Sequence, residues 1–451
     1  MSKRKNILGS VLKNIQLRRR FFAFGVVLAA LAGLGFAWNP LYIVAQALFF
    51  IFLALAVVEG LILFIPNRKL HARRKTVKML SLGDKNLVQL SLQNHLGYRV
   101  FIEIFEDLPV QLQQRGFHIE RSMSSGEQVE VHYQITPLTR GMYSFGRTNV
   151  IATTRLGLVA RRYRLKTNMD VPAFPSIVQM KKYELLAFAK VSTTEGIKKV
   201  RRLGHSYEFE HIKSYVQGDD IRSINWKATS RRNALMVNQY EDERSQQMYT
   251  IIDKSRVMHM PFHGLTLLDH AINTSLVISN IALKKHDRAG LITFSHAIGS
   301  AIKAEKGPHQ LKKILQALYN ERSAPNEANF DLLYRASKNI ISGRSLIFLY
   351  TNFESNFALE RALPVLRKIN RNHLLVVIIF ENSELVDYSR ENVTNLYDIY
   401  TQGIAERLVI EKKQIVARMR KEGIQSILSK PEDLSINTVN KYLELKSKGM
   451  I

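Results

Sequence analysis

The chain has 451 residues, 46% of them hydrophobic, and no cysteine. Its length and apolar content allow two or three domains with cores of their own and exclude global disorder, and the missing thiols exclude disulfides, thiolate metal sites and cysteine nucleophiles. A formal charge of +27, from 65 Lys+Arg against 38 Asp+Glu, would suit anionic lipid headgroups or nucleic acid, but no RNA-binding signature or zinc-finger spacing accompanies it, so nucleic acid is set aside.

Residues 1–20 form a basic N-terminus carrying Lys3, Arg4, Lys5, Lys13, Arg18, Arg19 and Arg20. Residues 21–65 are expected to form a transmembrane helical hairpin. The stretch 21–38 carries no charge, Asn39-Pro40 interrupts it, and 41–65 carries only Glu59. A signal peptide would be followed by a polar mature domain, not by a second apolar run. Arg68, Lys69, Arg73, Arg74, Lys75 and Lys78 follow the second run, so cations flank both outer ends. A two-pass topology with both ends cytoplasmic is expected, the juxtamembrane cations facing anionic lipid. Gly25, Ala29 and Gly33, spaced by four, suit close helix packing. Glu59 lies near the inner end, where hydrogen bonding or reaching toward the interface is expected over proton conduction.

Residues 77–175 alternate apolar and polar side chains. Segments 88–92, 100–104 and 129–133 read as strands and 140–146 as a turn and strand, which together predict a β-sandwich with Pro172 and Pro175 at its exit. Residues 176–246 are expected to form a linker, with basic Lys198, Lys199, Arg201 and Arg202, followed by a dense signature segment. In residues 247–451, strands near 248–253, 289–294, 345–350, 374–379 and 424–428 alternate with helices near 267–285, 310–319, 332–341, 403–421 and from 434. That alternation predicts an α/β domain with a parallel sheet covered on both faces.

The signature segment runs from Tyr215 to Arg231 and sets Gly218, Asp219, Asp220, Arg222, Asn225, Trp226, Lys227 and Arg231 within a few turns of chain. Gly218 suits a turn, the two carboxylates are expected to pair with Arg222, Lys227 or Arg231, and Trp226 is expected to anchor the segment in a buried position. Adjacent carboxylates on a strand point to opposite faces, so ion pairing is preferred to catalysis. The segment resembles the signature of the bacterial domain of unknown function 58 family. The resemblance implies a doubly wound von Willebrand A-like domain behind the β-sandwich, a place in the bacterial cytoplasmic (inner) membrane, and partnership with a MoxR-type AAA+ ATPase and membrane or envelope proteins.

A von Willebrand A-like fold would hold a metal through an Asp-x-Ser-x-Ser loop, a Thr and a further Asp. This chain offers Asp253 and Ser255, but Val257 stands for the second serine, the segment Asn329-Phe330-Asp331 has no threonine, and Asn352 stands for the aspartate. Hard divalent ions need oxygen ligands, preferably anionic, so a Mg²⁺ site on Asp253 and Ser255 is expected to be degenerate. No P-loop, Gly-x-Ser-x-Gly elbow or His-Glu-x-x-His helix is present, and His205 and His211 do not have helical metal-ligand spacing. The expectation is a non-catalytic, membrane-anchored adaptor or scaffold. The alternatives are a metal-dependent hydrolase using Asp219, Asp220, Asp253 and Ser255, or a receptor for anionic lipid or nucleic acid.

Overall fold

The computed structural model describes residues 14–64, 69–114, 116–188, 208–217, 219–232, 234–241, 245–391 and 395–450. Gly218, His205 and the basic cluster Lys198, Lys199, Arg201 and Arg202 lie outside these residues. The chain divides into two compact units, residues 1–173 and 174–451.

The first unit opens with a short strand, β1 (Ile15–Leu17), followed by two helices, α1 (Arg19–Gly35) and α2 (Asn39–Leu63). Pro40 sits in the first turn of α2, where its missing N–H costs no helical bond. Among the described residues, α2 alone is long and apolar enough to cross a membrane. The expected small-residue contact is displaced: nothing lies within 4 Å of where a Cβ would stand at Gly25 or Gly33, whereas one at Gly35 would meet Tyr42 Cα at 2.7 Å. Gly35 therefore permits the tight reversal between α1 and α2.

Ten strands follow: β2 (Leu70–Thr76), β3 (Leu80–Ser81), β4 (Asn86–Asn94), β5 (Val100–Glu106), β6 (His118–Met123), β7 (Gln128–Ile135), β8 (Gly141–Phe145), β9 (Thr148–Thr153), β10 (Val159–Leu165) and β11 (Met169–Phe174). They form sheets in the orders β1-β10-β9-β5-β6, β2-β4-β7 and β3-β11-β8. Strict alternation puts Val88, Leu90 and Leu92 of β4, Ile102 and Ile104 of β5, and Val131 and Tyr133 of β7 into one shared core with Tyr143 and Val150. The strands begin at Leu70, ahead of the expected residue 77. They also recruit β1 from before the helices, which pairs antiparallel with β10 through Ile15 opposite Arg161 and Leu17 opposite Val159.

Two charged residues of this unit are buried, Arg74 against expectation and Glu59 in the hydrogen-bonded state expected of it. Arg74, grouped by sequence with the lipid-facing cations, is buried in the β core, where it pairs with Glu106 and donates to Thr167 O at 2.8 Å. Glu59 is 1% exposed. Its carboxylate accepts hydrogen bonds from Thr154 Oγ1 (2.5 Å) and the N–H groups of Gly157, Leu158 and Val159 (each 3.0 Å). Four donors satisfy a charge that an apolar setting would otherwise penalise heavily.

The second unit opens with α3 (Ile177–Phe188), inside the stretch expected to join the β-sandwich to the signature segment. Met180, Tyr183 and Ala187 pack it against the unit's core. An antiparallel pair, β12 (Glu208–Ser214) and β13 (Met236–Glu241), flanks a short helix, α4 (Trp226–Arg232). His211, Glu208 and Glu210 fall in β12. The remaining elements are β14 (Gln247–Asp253), β15 (Pro261–Phe262), β16 (Leu265–Thr266), α5 (Leu267–Lys284), β17 (Arg288–Phe294), β18 (Ile298–Glu305), α6 (Pro308–Asn320), α7 (Phe330–Ile340), β19 (Leu346–Tyr350), α8 (Asn356–Asn372), β20 (Leu374–Phe380), α9 (Ser383–Tyr388), α10 (Leu396–Lys421), β21 (Gln425–Ser429) and α11 (Leu434–Ser447).

Six strands form one sheet in the order β18-β17-β14-β19-β20-β21. All neighbours are parallel except the edge strand β18. Successive residues of each strand enter opposite cores: Met248 and Ile252 pack with Ile272, Leu318 and Tyr442, while Tyr249 and Ile251 pack with Leu333, Leu366 and Met419. Helices α5, α6 and α11 thus cover one face and α7, α8 and α10 the other. A reciprocal capping box between Thr266 and Asp269 starts α5, the most buried helix.

Candidate functional site

In a mostly parallel sheet, chemistry gathers where the strands end at their carboxyl termini. β14 ends at Asp253, which is fully buried. Its Oδ1 accepts the Ser255 N–H at 2.8 Å and its Oδ2 accepts Thr351 Oγ1 at 2.7 Å. Burial pushes this carboxyl above the usual carboxylate range. Ser255 Oγ is buried beside it without a partner of hydrogen-bonding geometry.

Cations supplied by the protein stand along the same edge. Lys254 Nζ pairs with Glu321 at 3.0 Å. Burial alone would raise the Glu321 carboxyl, but donors on Ser300, Thr293 and Lys254 outweigh it and hold the group below its ordinary value. Lys412, from α10, places its ammonium on Asn352 Oδ1 at 2.8 Å and on the Phe353 carbonyl. Burial lowers its pKa to about 8, against the opposing pull of Glu354 and Glu411. The position read as a missing threonine is filled by the Phe330 ring, which stacks on Phe353 with centroids 5.9 Å apart, while Asn329 caps α7 through the Leu332 N–H.

A Mg²⁺ ion does not fit this set. It would have one buried carboxyl whose two oxygens are already engaged, the hydroxyls of Ser255 and Thr351, and no second anion from Val257, Phe330 or Asn352. Among the described residues no group of three or more His, Asp or Glu side chains could hold a metal. Thr351, the partner that fixes Asp253, carries no motif that singled it out in the sequence.

The signature segment is arranged differently from expectation. Asp219 pairs with Lys213 across the turn at 2.8 Å and accepts the Val216 N–H at 2.9 Å. The Lys213 hydrogen bond, reinforced by that of Val216, holds its carboxyl below the ordinary range. Asp220 accepts the Arg222 N–H at 3.0 Å and caps the 3₁₀ turn Ile221–Ser223. Asn225 does two jobs: Oδ1 accepts the Ala228 N–H at 3.0 Å, capping α4, and Nδ2 donates to Asn238 Oδ1 on β13 at 2.7 Å. Asp220 thus takes a hydrogen bond from Arg222, but through its backbone, and among the described residues the side chains of Arg222, Lys227 and Arg231 meet no carboxylate, which corrects the expected ion pairing. Trp226 is 69% exposed, not buried. Its first-turn position on α4 follows from the Asn225 cap, and its indole stands largely in solvent.

The architecture and its edge define a mixed α/β protein with a sheet-rich N-terminal region and an apolar helix near the N-terminus. Residues 211–393 match the family described as "Protein of unknown function DUF58". The chain is also 24% identical over 218 residues to "Uncharacterized protein YeaD" of Bacillus subtilis (strain 168), a match covering 47% of this chain and 54% of that protein. The match thus spans about half the length of that curated relative. Among solved structures, similarity extends to the CARDB domain of the PF1109 protein from Pyrococcus furiosus, at 14% identity, 24% of this chain, 93% of that chain and a TM-score of 0.17. It extends also to proximal thread matrix protein 1 from the mussel byssus, at 9% identity, 45% of this chain, 46% of that chain and a TM-score of 0.27. Likeness at these scores carries no weight for fold or function.

Proposed function

We propose that this chain is a membrane-anchored, non-catalytic adaptor that presents a von Willebrand A-like domain to a MoxR-type AAA+ ATPase and to membrane or envelope proteins. The observation that carries the reading is the self-satisfied carboxyl edge of the sheet. Asp253 is occupied by Ser255 and Thr351, Lys254 by Glu321, and Asn352 by Lys412. Such an edge retains the strand order β18-β17-β14-β19-β20-β21 with helices on both faces, while its polar groups serve one another instead of a reacting centre. A doubly wound domain of this kind works through its surface.

The anchor in this reading is a two-pass hairpin in the bacterial cytoplasmic membrane, made by α1 and α2 and preceding a β-sandwich. What supports it is that β1, before α1, and β10, after α2, share one sheet. The chain that leaves this domain through α1 returns to it through α2, which supports having both ends of the hairpin on one side, and the flanking cations favour the cytoplasmic side for them.

The test is affinity purification of the full chain, gently solubilised from its native membrane, followed by reconstitution with the MoxR-type ATPase of the same cell. Stoichiometric binding that survives Asp253→Asn supports the adaptor reading. Metal-stimulated turnover of any substrate, lost in Asp253→Asn, would replace it with the hydrolase.

A further inference from the structure

We propose that the exposed outer face of the 213–235 segment is a docking surface for an anionic phospholipid bilayer. This surface is separate from the sheet edge, and the proposal does not depend on the adaptor reading.

The residue pattern has a physical direction. At 3.6 residues per turn, Trp226, Ser230, Lys227 and Arg231 fall in that angular order on one side of α4, and all four are exposed. The opposite side holds Ala228 and Thr229, whose Oγ1 accepts the Met236 N–H at 3.0 Å and fastens the helix to β13. The adjoining turn adds Ile221, 70% exposed, with Arg222, and Val216, 63% exposed. Three large apolar side chains thus stand in water, close along the chain to the exposed cations Arg222, Lys227 and Arg231.

Charge favours an anionic occupant. Over residues 213–235 the cations are Lys213, Arg222, Lys227, Arg231 and Arg232, against Asp219 and Asp220. Asp219 is neutralised by Lys213, and Asp220 is turned onto the Arg222 N–H. Arg222, Lys227 and Arg231 meet no carboxylate among the described residues and are left for an external partner. A second copy of this chain would bring the same positive face and be repelled. A bilayer interface accepts an indole, aliphatic tips and long cationic side chains together, with no need for shape complementarity. A protein interface instead gathers its apolar groups into a core inside a polar rim, and here they alternate with the charges along the chain. Anionic headgroups supply the counter-charge, and each cation near such a surface strengthens binding roughly fivefold.

The experiment uses the full chain carrying Trp38→Phe, which leaves Trp226 as its one tryptophan, held in nanodiscs of phosphatidylcholine. Vesicles with brominated acyl chains are added, either pure phosphatidylcholine or an equimolar mixture with phosphatidylglycerol. The expected result is quenching and a blue shift of Trp226 by the anionic vesicles alone, lost at high salt. A variant with Arg222→Gln and Lys227→Gln should need roughly 25 times more vesicles for the same response. Flotation of the Trp226→Ala chain should fall as well, while its circular dichroism stays unchanged. Equal response to both vesicle types, or none to either, would overturn the proposal. So would binding of poly-L-glutamate without any response to anionic vesicles, which would assign the face to an acidic protein.

Discussion

Glu59 Oε2 accepts the backbone N–H of Leu158 at 3.0 Å and so ties an otherwise apolar helix to the turn between β9 and β10. The same carboxylate takes the N–H groups of Gly157 and Val159, and Arg161 closes the end of α2 by donating to Leu63 O at 2.7 Å. The cation at that carbonyl also complements the negative end of the helix.

Replacing Glu59 by Ala would leave three backbone donors in a buried turn without an acceptor. Since hydrogen bonds to a charged group are worth roughly 1.5–3 kcal/mol each, Glu59→Ala is expected to cost at least about 3 kcal/mol. Thermal unfolding of the full chain in detergent should show it. Val58→Ala, at an exposed neighbour on the same helix, should move the midpoint little.

The Arg74–Glu106 pair is fully buried and completed by Thr148 Oγ1, which donates to Glu106 at 2.7 Å, and by the Gly146 and Thr167 carbonyls that receive Arg74. Losing one partner strands a charge in the β core. Arg74→Met and Glu106→Leu are each expected to cost roughly 3–5 kcal/mol. The double variant should be more stable than the sum of the two losses implies. Simple additivity in denaturant unfolding would show that the pair is not energetically coupled.

Lys412 gives a pH signature. Its folded pKa of about 8 lies below the ordinary 10.5, so between those values the unfolded chain binds the proton and the folded chain does not. Stability therefore rises with pH across this window, and the penalty for holding the charged form is fully present below about pH 8. The expected gain is on the order of 3 kcal/mol. The difference in unfolding free energy between the native chain and Lys412→Met, followed from pH 7 to 11, isolates it from other groups. A flat difference would mean that Lys412 is solvated.

Asp253 is pushed toward its neutral form by burial, and an amide of the same shape can replace it. Asn at this position still accepts from Ser255 N–H and can donate to Thr351 Oγ1. Asp253→Asn is therefore expected to keep or raise the unfolding midpoint at neutral pH, and Asp253→Ala to lower it by about 1–3 kcal/mol. Titration calorimetry of the native chain with Mg²⁺ or Mn²⁺ should give weak or no heat. Tight stoichiometric binding that Asp253→Asn abolishes would overturn this account of the edge.

The sequence carries the sheet of the second unit plainly, because strands such as Met248–Asp253 are buried on both faces and read as unbroken apolar runs. Helix α8 escaped notice because Pro364 lies inside it. Edge strand β18 escaped because one face is solvated and Lys303 and Glu305 dilute its pattern. Three residues are too few for periodicity, so β1 was invisible. The signature's residue types were legible but their partners were not: Asp219 reaches back across the turn to Lys213, six residues earlier at the end of β12 and outside the signature, instead of forward to the cations within it. The exposure of Trp226 was not legible for a general reason, since composition shows that an indole is available for burial and not that it stands on the exposed side of a short helix.

The pairing of Ile15–Leu17 with β10 has a consequence for how the molecule is made. β1 must wait for a partner synthesised well over a hundred residues later, after both apolar helices have emerged, so the sheet closes only once they are in place. Any shortened version that starts beyond α2 exposes the free edge of β10 and also loses the carboxylate that holds the β9–β10 turn. Unpaired N–H and C=O groups along such an edge invite a strand from another molecule. Preparations cut to remove the apolar helices should therefore self-associate through β10, and keeping residues 14–63 is the route to a monodisperse sample.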